Sequence, residues 1–216
     1  MMLPEDLMLL FVNGQTGKLR VDSISADNSL AGALLIELVE SGRVAFEPGG
    51  KKLQVVDPTP LRNPLLQEAL GRFDKPMKPQ RAVERLRKKV RDTVAAELES
   101  RGAVRVEHRK VLGIFPARSY VVTDEARADE VRRVVGDVAR GYRGADARTG
   151  SLITLLHAVK SVHKVVEGDK RDLNRRAKDI AAGNWAGDAV RKAVEAIQAG
   201  VVAAATASAA AASSGG

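Results

Sequence analysis

Five of the seven residues in RLRKKVR, residues 85–91, carry positive charge, and this is the strongest chemical signal in the chain. A dense cluster of guanidinium and ammonium groups is suited to a multivalent anion, either nucleic-acid phosphate or a lipid head group. On one long helix over 80–100, Val83, Leu86, Val90, Val94 and Leu98 fall on one side and predict a core-facing stripe. Arg81, Arg85 and Lys88 then point away from the core, and Arg87 and Arg91 lie on the flank. Glu84 is spaced to pair with Lys88 and Asp92 to pair with Arg87, which leaves Arg81, Arg85, Lys89 and Arg91 without a local acid. A solvated helix face is the bland alternative. For nucleic acid, aromatic or amide side chains are needed to read bases, and this helix offers only Gln80. For lipid head groups a Lys/Arg cluster beside apolar surface suffices.

Other chemistry is thinly represented. His157 and His163 are six residues apart, which on a single helix puts them on opposite sides, and no HExxH occurs. His157 reads as a core or near-core residue. GQTGK at 14–18 is a fragment of a phosphate loop, but Leu19 stands where Ser or Thr is required, so the segment reads as a turn. There is no G-x-S-x-G, and cysteine is absent, which excludes disulfides and thiolate chemistry. No catalytic residue, metal ligand or cofactor is expected, and the chain reads as non-enzymatic.

The elements that must position the basic cluster come from 216 residues with 44% apolar but only 3% aromatic content, so the core is built from Leu, Val, Ile and Ala. Net charge is +8, and it is concentrated: residues 71–118 hold 14 Lys/Arg against 6 Asp/Glu. The first charges are Glu5 and Asp6, which is wrong for a signal peptide, and no apolar run is long enough to span a bilayer. A soluble intracellular protein is expected.

Leu7 to Val12 is an apolar run of undecided type, and NGQTG (13–17) is a turn. A helix is expected from near Ser29, capped by Asn28 or Ser29 and ended by Gly42. RVAFE and KLQVVD flank PGGK as two short strands. A proline-punctuated linker over 57–64 precedes a short helix over 65–73. VRVEHRKVLGIF and RSYVV read as strands, followed by helices at 124–140, 148–167, 170–182 and 186–206. IELVESGRVAFE (36–47) echoes AAELESRGAVRVE (95–107), each a helix, a glycine and a strand. Helix followed by hairpin is the plan of a winged helix, although such units are also common by themselves. These elements are mainly α, with short winged-helix-like strand pairs. Residues 203–216 read as an Ala/Ser/Gly-rich tail, a fraying helix end followed by a disordered tip. Trp185, in GNWAGDAV, reads as packing a helix start.

In this order, LPEDLMLLFVNGQTGKL (3–19), LAGALLIELVESGRV (30–44), DPTPLRNPLLQEAL (57–70), ELESRGAV (97–104), VLGIFPARSYVV (111–122) and LITLLHAV (152–159) resemble the Golgi phosphoprotein 3 family in its bacterial branch. The resemblance covers about residues 3–202. It implies a mainly α fold, a single helical domain over 1–202 with a protruding β-hairpin used for self-association, here about 111–122, in a peripheral membrane protein. Eukaryotic members bind phosphatidylinositol 4-phosphate and help hold Golgi glycosyltransferases. The family's lipid pocket uses a Trp, an Arg nine residues later, and a basic-x-x-Arg pair. Lys88 and Arg91 match the pair, whereas Asp22 stands at the Trp position and Ala31 at the first Arg. The resemblance thus implies half a pocket, with an acid introduced.

These readings converge on a peripheral protein that binds anionic or phosphoinositide head groups through Lys88 and Arg91, helped by Arg85 and Arg87. Ile114, Phe115 and Pro116 at the hairpin tip are expected to insert shallowly or to mediate homo-oligomerisation. The expected partners are anionic membrane lipids and an unidentified membrane-enzyme cargo, with the protein cytoplasmic and partly at the inner membrane face. A winged-helix-like DNA-binding regulator using the same helix, and an interaction scaffold with no lipid ligand, are the alternatives from other classes.

Overall fold

The apolar run near the N-terminus folds as helix α1 (Leu3–Phe11), with Pro4 in its first turn, where a missing N–H is harmless. All nine of its residues are buried, so α1 is the centre of the molecule. Even its acids are inside: Asp6 is 2% exposed and receives Arg127 of α6 (Glu125–Arg140) at 2.7 Å and Arg148 of α7 (Ala147–Ala158) at 2.6 Å. Glu5 faces the other way, with Arg101 3.2 Å off. The computed structural model describes residues 2–111, 115–183 and 188–213.

Helix α2 (Ser23–Glu40) begins earlier than the leucine spacing suggests. Asp22 is its N-cap and accepts the Ser25 amide at 2.8 Å and the Ser25 hydroxyl at 2.7 Å. Asn28 and Ser29, the expected caps, are instead buried inside the helix. The expectation failed because capping and hydrophobic periodicity are separate signals, and this helix opens with a polar turn before its leucines begin.

Two helix–glycine–hairpin units follow, as the internal echo suggested. In the first, α2 ends at Gly42 (φ +70) and leads into β1 (Val44–Phe46) and β2 (Leu53–Val55), paired antiparallel with Val44 opposite Val55. In the second, α5 (Val90–Ser100) ends at Gly102 (φ +68) and leads into β3 (Val104–Val111) and β4 (Phe115–Val122). The capping bonds repeat too: Arg43 N to Leu38 O and Ala103 N to Leu98 O are both 2.9 Å, the crossed-over bond of a left-handed helix stop. The base of the second hairpin is buried through Val104 and Tyr120, and Tyr120 N donates to Gly17 O in the 13–17 turn at 2.8 Å. Ile114 at the expected tip lies outside the described residues, and Phe115 and Pro116 are described only as strand positions opposite Val111 and Lys110.

The helix expected over 80–100 is two helices. Helix α4 (Pro79–Leu86) stops, residues 87–89 form a turn with Lys89 at φ 60, and α5 resumes at Val90. The inward stripe survives the break: Val83, Leu86, Val90, Val94 and Leu98 are all buried. Arg72, at the end of α3 (Pro64–Gly71), takes up the carbonyls this break frees. Its Nη1 donates to Arg85 O at 3.1 Å and to Lys88 O at 3.0 Å.

The helix expected over 148–167 also breaks, at Lys160 (φ 53), so His157 is in α7 and His163 is in the one-turn α8 (Val162–Val165). His157 is half-buried rather than in the core. After α9 (Lys170–Ala181), the last helix α10 (Asp188–Ser213) packs against α2 and α4. A Cβ at Gly200 of α10 would lie 2.8 Å from Gln80 N, so glycine is what lets α10 cross the start of α4 at backbone distance. The alanine-rich stretch from 203, expected as a fraying helix end followed by a disordered tip, continues α10 to Ser213. Trp185 lies outside the described residues.

Candidate anion-binding surface

The break at 87–89 decides how the basic cluster is displayed. A continuous helix would have placed Lys88 one turn from Glu84. Instead Glu84 holds Arg81 at 3.3 Å and Gln80 at 3.0 Å. Asp92, the expected partner of Arg87, pairs with Arg118 from β4.

The arginines that the sequence left unpaired are satisfied from afar. Arg85 forms a two-pronged ion pair with Asp74, one arm at 3.1 Å, and also donates to Arg72 O at 3.0 Å. The hydrogen bonds from Arg85 hold the Asp74 carboxyl below the usual aspartate range. Arg91 reaches the first turns of α2: Nε lies 2.6 Å and Nη2 3.3 Å from the Asp27 oxygens, and Nη1 lies 3.0 Å from Ser23 Oγ. Asp27 is half-buried, and burial pushes its carboxyl up from the ordinary value even though the Arg91 hydrogen bonds and charge pull the other way. Arg87 is half-buried, and its charge also acts on Asp27.

Of the four residues predicted to hold a head group, Arg85 and Arg91 are therefore engaged internally. Lys88 stands exposed at the turn beside Lys89, and neither is paired with an acid among the described residues. Lys89 has no side-chain oxygen to cap α5, so the first turn of that helix carries no side-chain cap.

The two altered positions have different fates. Asp22, one residue before Ser23, sits beside the Arg91 contact, so this half of the site does converge in space. Burial pushes its carboxyl up, but the hydrogen bonds from the Ser25 amide and hydroxyl outweigh this and leave it lowered. Ala31 is fully buried within α2 and presents nothing to a ligand. The sequence reading missed two neighbours. Asp27 neutralises Arg91, and Ile24, 40% exposed, puts a large apolar side chain in the first turn of α2. An acid one turn into α2 was visible as DSISAD, but nothing local linked it to residue 91.

The sequence profile of Golgi phosphoprotein 3 (GPP34) matches residues 3–197. The chain belongs to the Golgi phosphoprotein 3 family. No curated protein matches it. The mainly α fold with its two antiparallel strand pairs is the architecture expected for a Golgi phosphoprotein 3 member with a hairpin. Among the described residues no helix is long and apolar enough to cross a membrane, and no cluster of three His, Cys, Asp or Glu is placed to hold a metal ion.

Proposed function

We propose that this Golgi phosphoprotein 3 family member is a non-enzymatic peripheral protein that docks on anionic membranes through the face shared by the 87–89 turn and the start of α2. One observation carries the reading: the Arg91–Ser23 bond of 3.0 Å sets the exposed Lys88–Lys89 turn alongside the helix turn that exposes Ile24. Basic side chains near an anionic surface contribute about 1 kcal/mol each, and stable residence needs a second, apolar signal. With Arg85 and Arg91 held by Asp74 and Asp27, the contact is an electrostatic footing rather than a head-group-selective pocket. On this reading, with the sequence resembling the bacterial branch, the lipids met are phosphatidylglycerol and cardiolipin at the cytoplasmic membrane face rather than phosphatidylinositol 4-phosphate. A surface with no aromatic on α4 or α5, and with its one amide, Gln80, already bonded to Glu84, favours lipid over nucleic acid.

Vesicle co-sedimentation tests this. Binding to phosphatidylglycerol or cardiolipin mixtures, lost at high salt and in the Lys88→Ala, Lys89→Ala double variant, is the expected result. Binding confined to phosphatidylinositol 4-phosphate would replace the footing with a selective pocket. Absence of binding to every mixture would leave the scaffold or DNA-binding readings. Self-association through the hairpin belongs to the same proposal, as a second contact that raises avidity. Phe115→Asp should then change oligomer size in solution, and unchanged size would remove that element.

A further inference from the structure

The geometry points to a second anion site, a phosphomonoester-binding cleft between the segment before α2, helix α6 and the end of α8, sharing no residue with the 85–91 cluster. A cleft of about 600 Å³ opens there, large enough for a phosphorylated small molecule or head group. Among the described residues Arg20, Arg132, Arg133, Arg140, Lys164 and His163 line it with one acid, Glu167.

The charges at its floor are incompletely matched. Arg133 is neutralised by Glu130 at 2.8 Å and Asp137 at 3.4 Å. Arg140 leans on Asp137 at 3.3 Å and on Glu167 O at 3.4 Å. A Cβ at Gly136 would lie 2.9 Å from Arg140 Nη2, so glycine there leaves room for that guanidinium to fold back over α6. Arg132 spends Nη1 on Asp129 at 2.8 Å, while its Nε and Nη2 are buried without a hydrogen-bond partner. Among the described residues the Arg20 side chain reaches only Lys164 O, at 3.5 Å, and its Nε is likewise buried and unpartnered, as is Nδ1 of His163.

Buried donors without acceptors are rare, and adjacent half-buried guanidinium groups repel each other. Burial and the charge of Arg132 both work against the protonated form of Arg20, and Glu167 offsets this only in part. His163 is lowered by burial and by Lys170 and Lys164. An oxyanion seated in the cleft offsets that repulsion and offers acceptors to the Arg20 and Arg132 guanidinium edges as they turn toward it: two guanidinium edges suit bidentate contact with phosphate, and Lys164 adds a point charge at the exposed rim. A phosphomonoester, from a soluble metabolite or a lipid head group, supplies those acceptor oxygens and negative charge to the cation-lined wall.

The test titrates the full chain by calorimetry at low ionic strength with inorganic phosphate and with glycerol 3-phosphate. In parallel, phosphatidylcholine vesicles with and without phosphatidic acid are used in flotation. Saturable binding is expected, weakened at least tenfold by Arg132→Gln and by Lys164→Gln. The exposed Lys164 keeps the test valid if Arg132→Gln fails to fold. The Lys88→Ala, Lys89→Ala variant should leave the soluble-ligand binding unchanged, which separates this site from the membrane footing. Binding of the soluble monoester identifies a free metabolite source. Binding of phosphatidic acid vesicles alone, still lost in Lys164→Gln, identifies a head group. No binding of any probe, or binding unchanged in both cleft variants, overturns the proposal.

Discussion

Arg91 donates through Nε and Nη2 to both carboxylate oxygens of Asp27, at 2.6 and 3.3 Å, although the two residues are 64 positions apart. This fork joins the start of α5 to the start of α2, and it removes from the surface the arginine that the family pattern assigns to the ligand. A phosphate arriving at Arg91 must displace an acid that is already there, in better geometry than most surface pairs achieve.

Removing that competitor should strengthen membrane binding. Asp27→Asn leaves a neutral partner for Arg91 and adds about 1 kcal/mol of attraction to an anionic vesicle, or about fivefold in affinity. Because burial raises the Asp27 carboxyl, wild-type binding should also strengthen as pH falls into the range just above the ordinary aspartate value, and Asp27→Asn should lose that dependence. Co-sedimentation across a pH series reads both effects, and a pH response retained in Asp27→Asn would show that another group is responsible.

Lys89 holds a left-handed backbone, which costs an L-residue roughly 1–2 kcal/mol. Lys89→Gly should therefore stabilise the fold by about 1 kcal/mol while weakening vesicle binding about fivefold. Lys89→Ala should weaken binding by the same amount without gaining the stability. Urea denaturation beside vesicle binding separates strain from charge. Equal stability of the two variants would mean that the turn is unstrained.

Asp6 is buried between Arg127 and Arg148 and ties α1 to α6 and α7. Asp6→Ala leaves the two partly exposed guanidinium groups without this shared carboxylate, and a loss of about 1–3 kcal/mol is expected. A shift in the urea midpoint with unchanged slope checks it. A loss below about 1 kcal/mol would mean that the arginines find solvent.

The pH dependence of folding has a defined sign on the acid side of neutrality. Burial, then Lys178, lowers His157, and burial, then Lys170 and Lys164, lowers His163, both from 6.5. A base depressed in the folded state contributes stability that is fully present above its unfolded value and is lost as pH falls through its folded value. Stability should thus decline as pH drops below about 6.5, and His157→Gln should flatten part of the decline. If a bound phosphomonoester fills the cleft at His163, adding that ligand should raise the His163 value in an NMR titration.

The sequence by itself determined what depends on near neighbours. The inward stripe of Val83, Leu86, Val90, Val94 and Leu98 is buried as its spacing required, and Gly42 and Gly102 stop their helices because only glycine takes a left-handed stop without strain. Both hairpins and the ordered segments that place the chain in the Golgi phosphoprotein 3 family were legible for the same reason. Tertiary structure decided which charges meet. Arg85 finds Asp74, Arg91 finds Asp27, and Arg72 caps the carbonyls that let the helix break at Lys89. Arg20, Arg132 and Lys164, distant in sequence, come to line one cleft. Long polar side chains have many rotamers and no periodicity of their own, so their partners are set by which helix faces pack together. That is fixed only when the apolar stripes of α1, α2, α4 and α10 have closed the core.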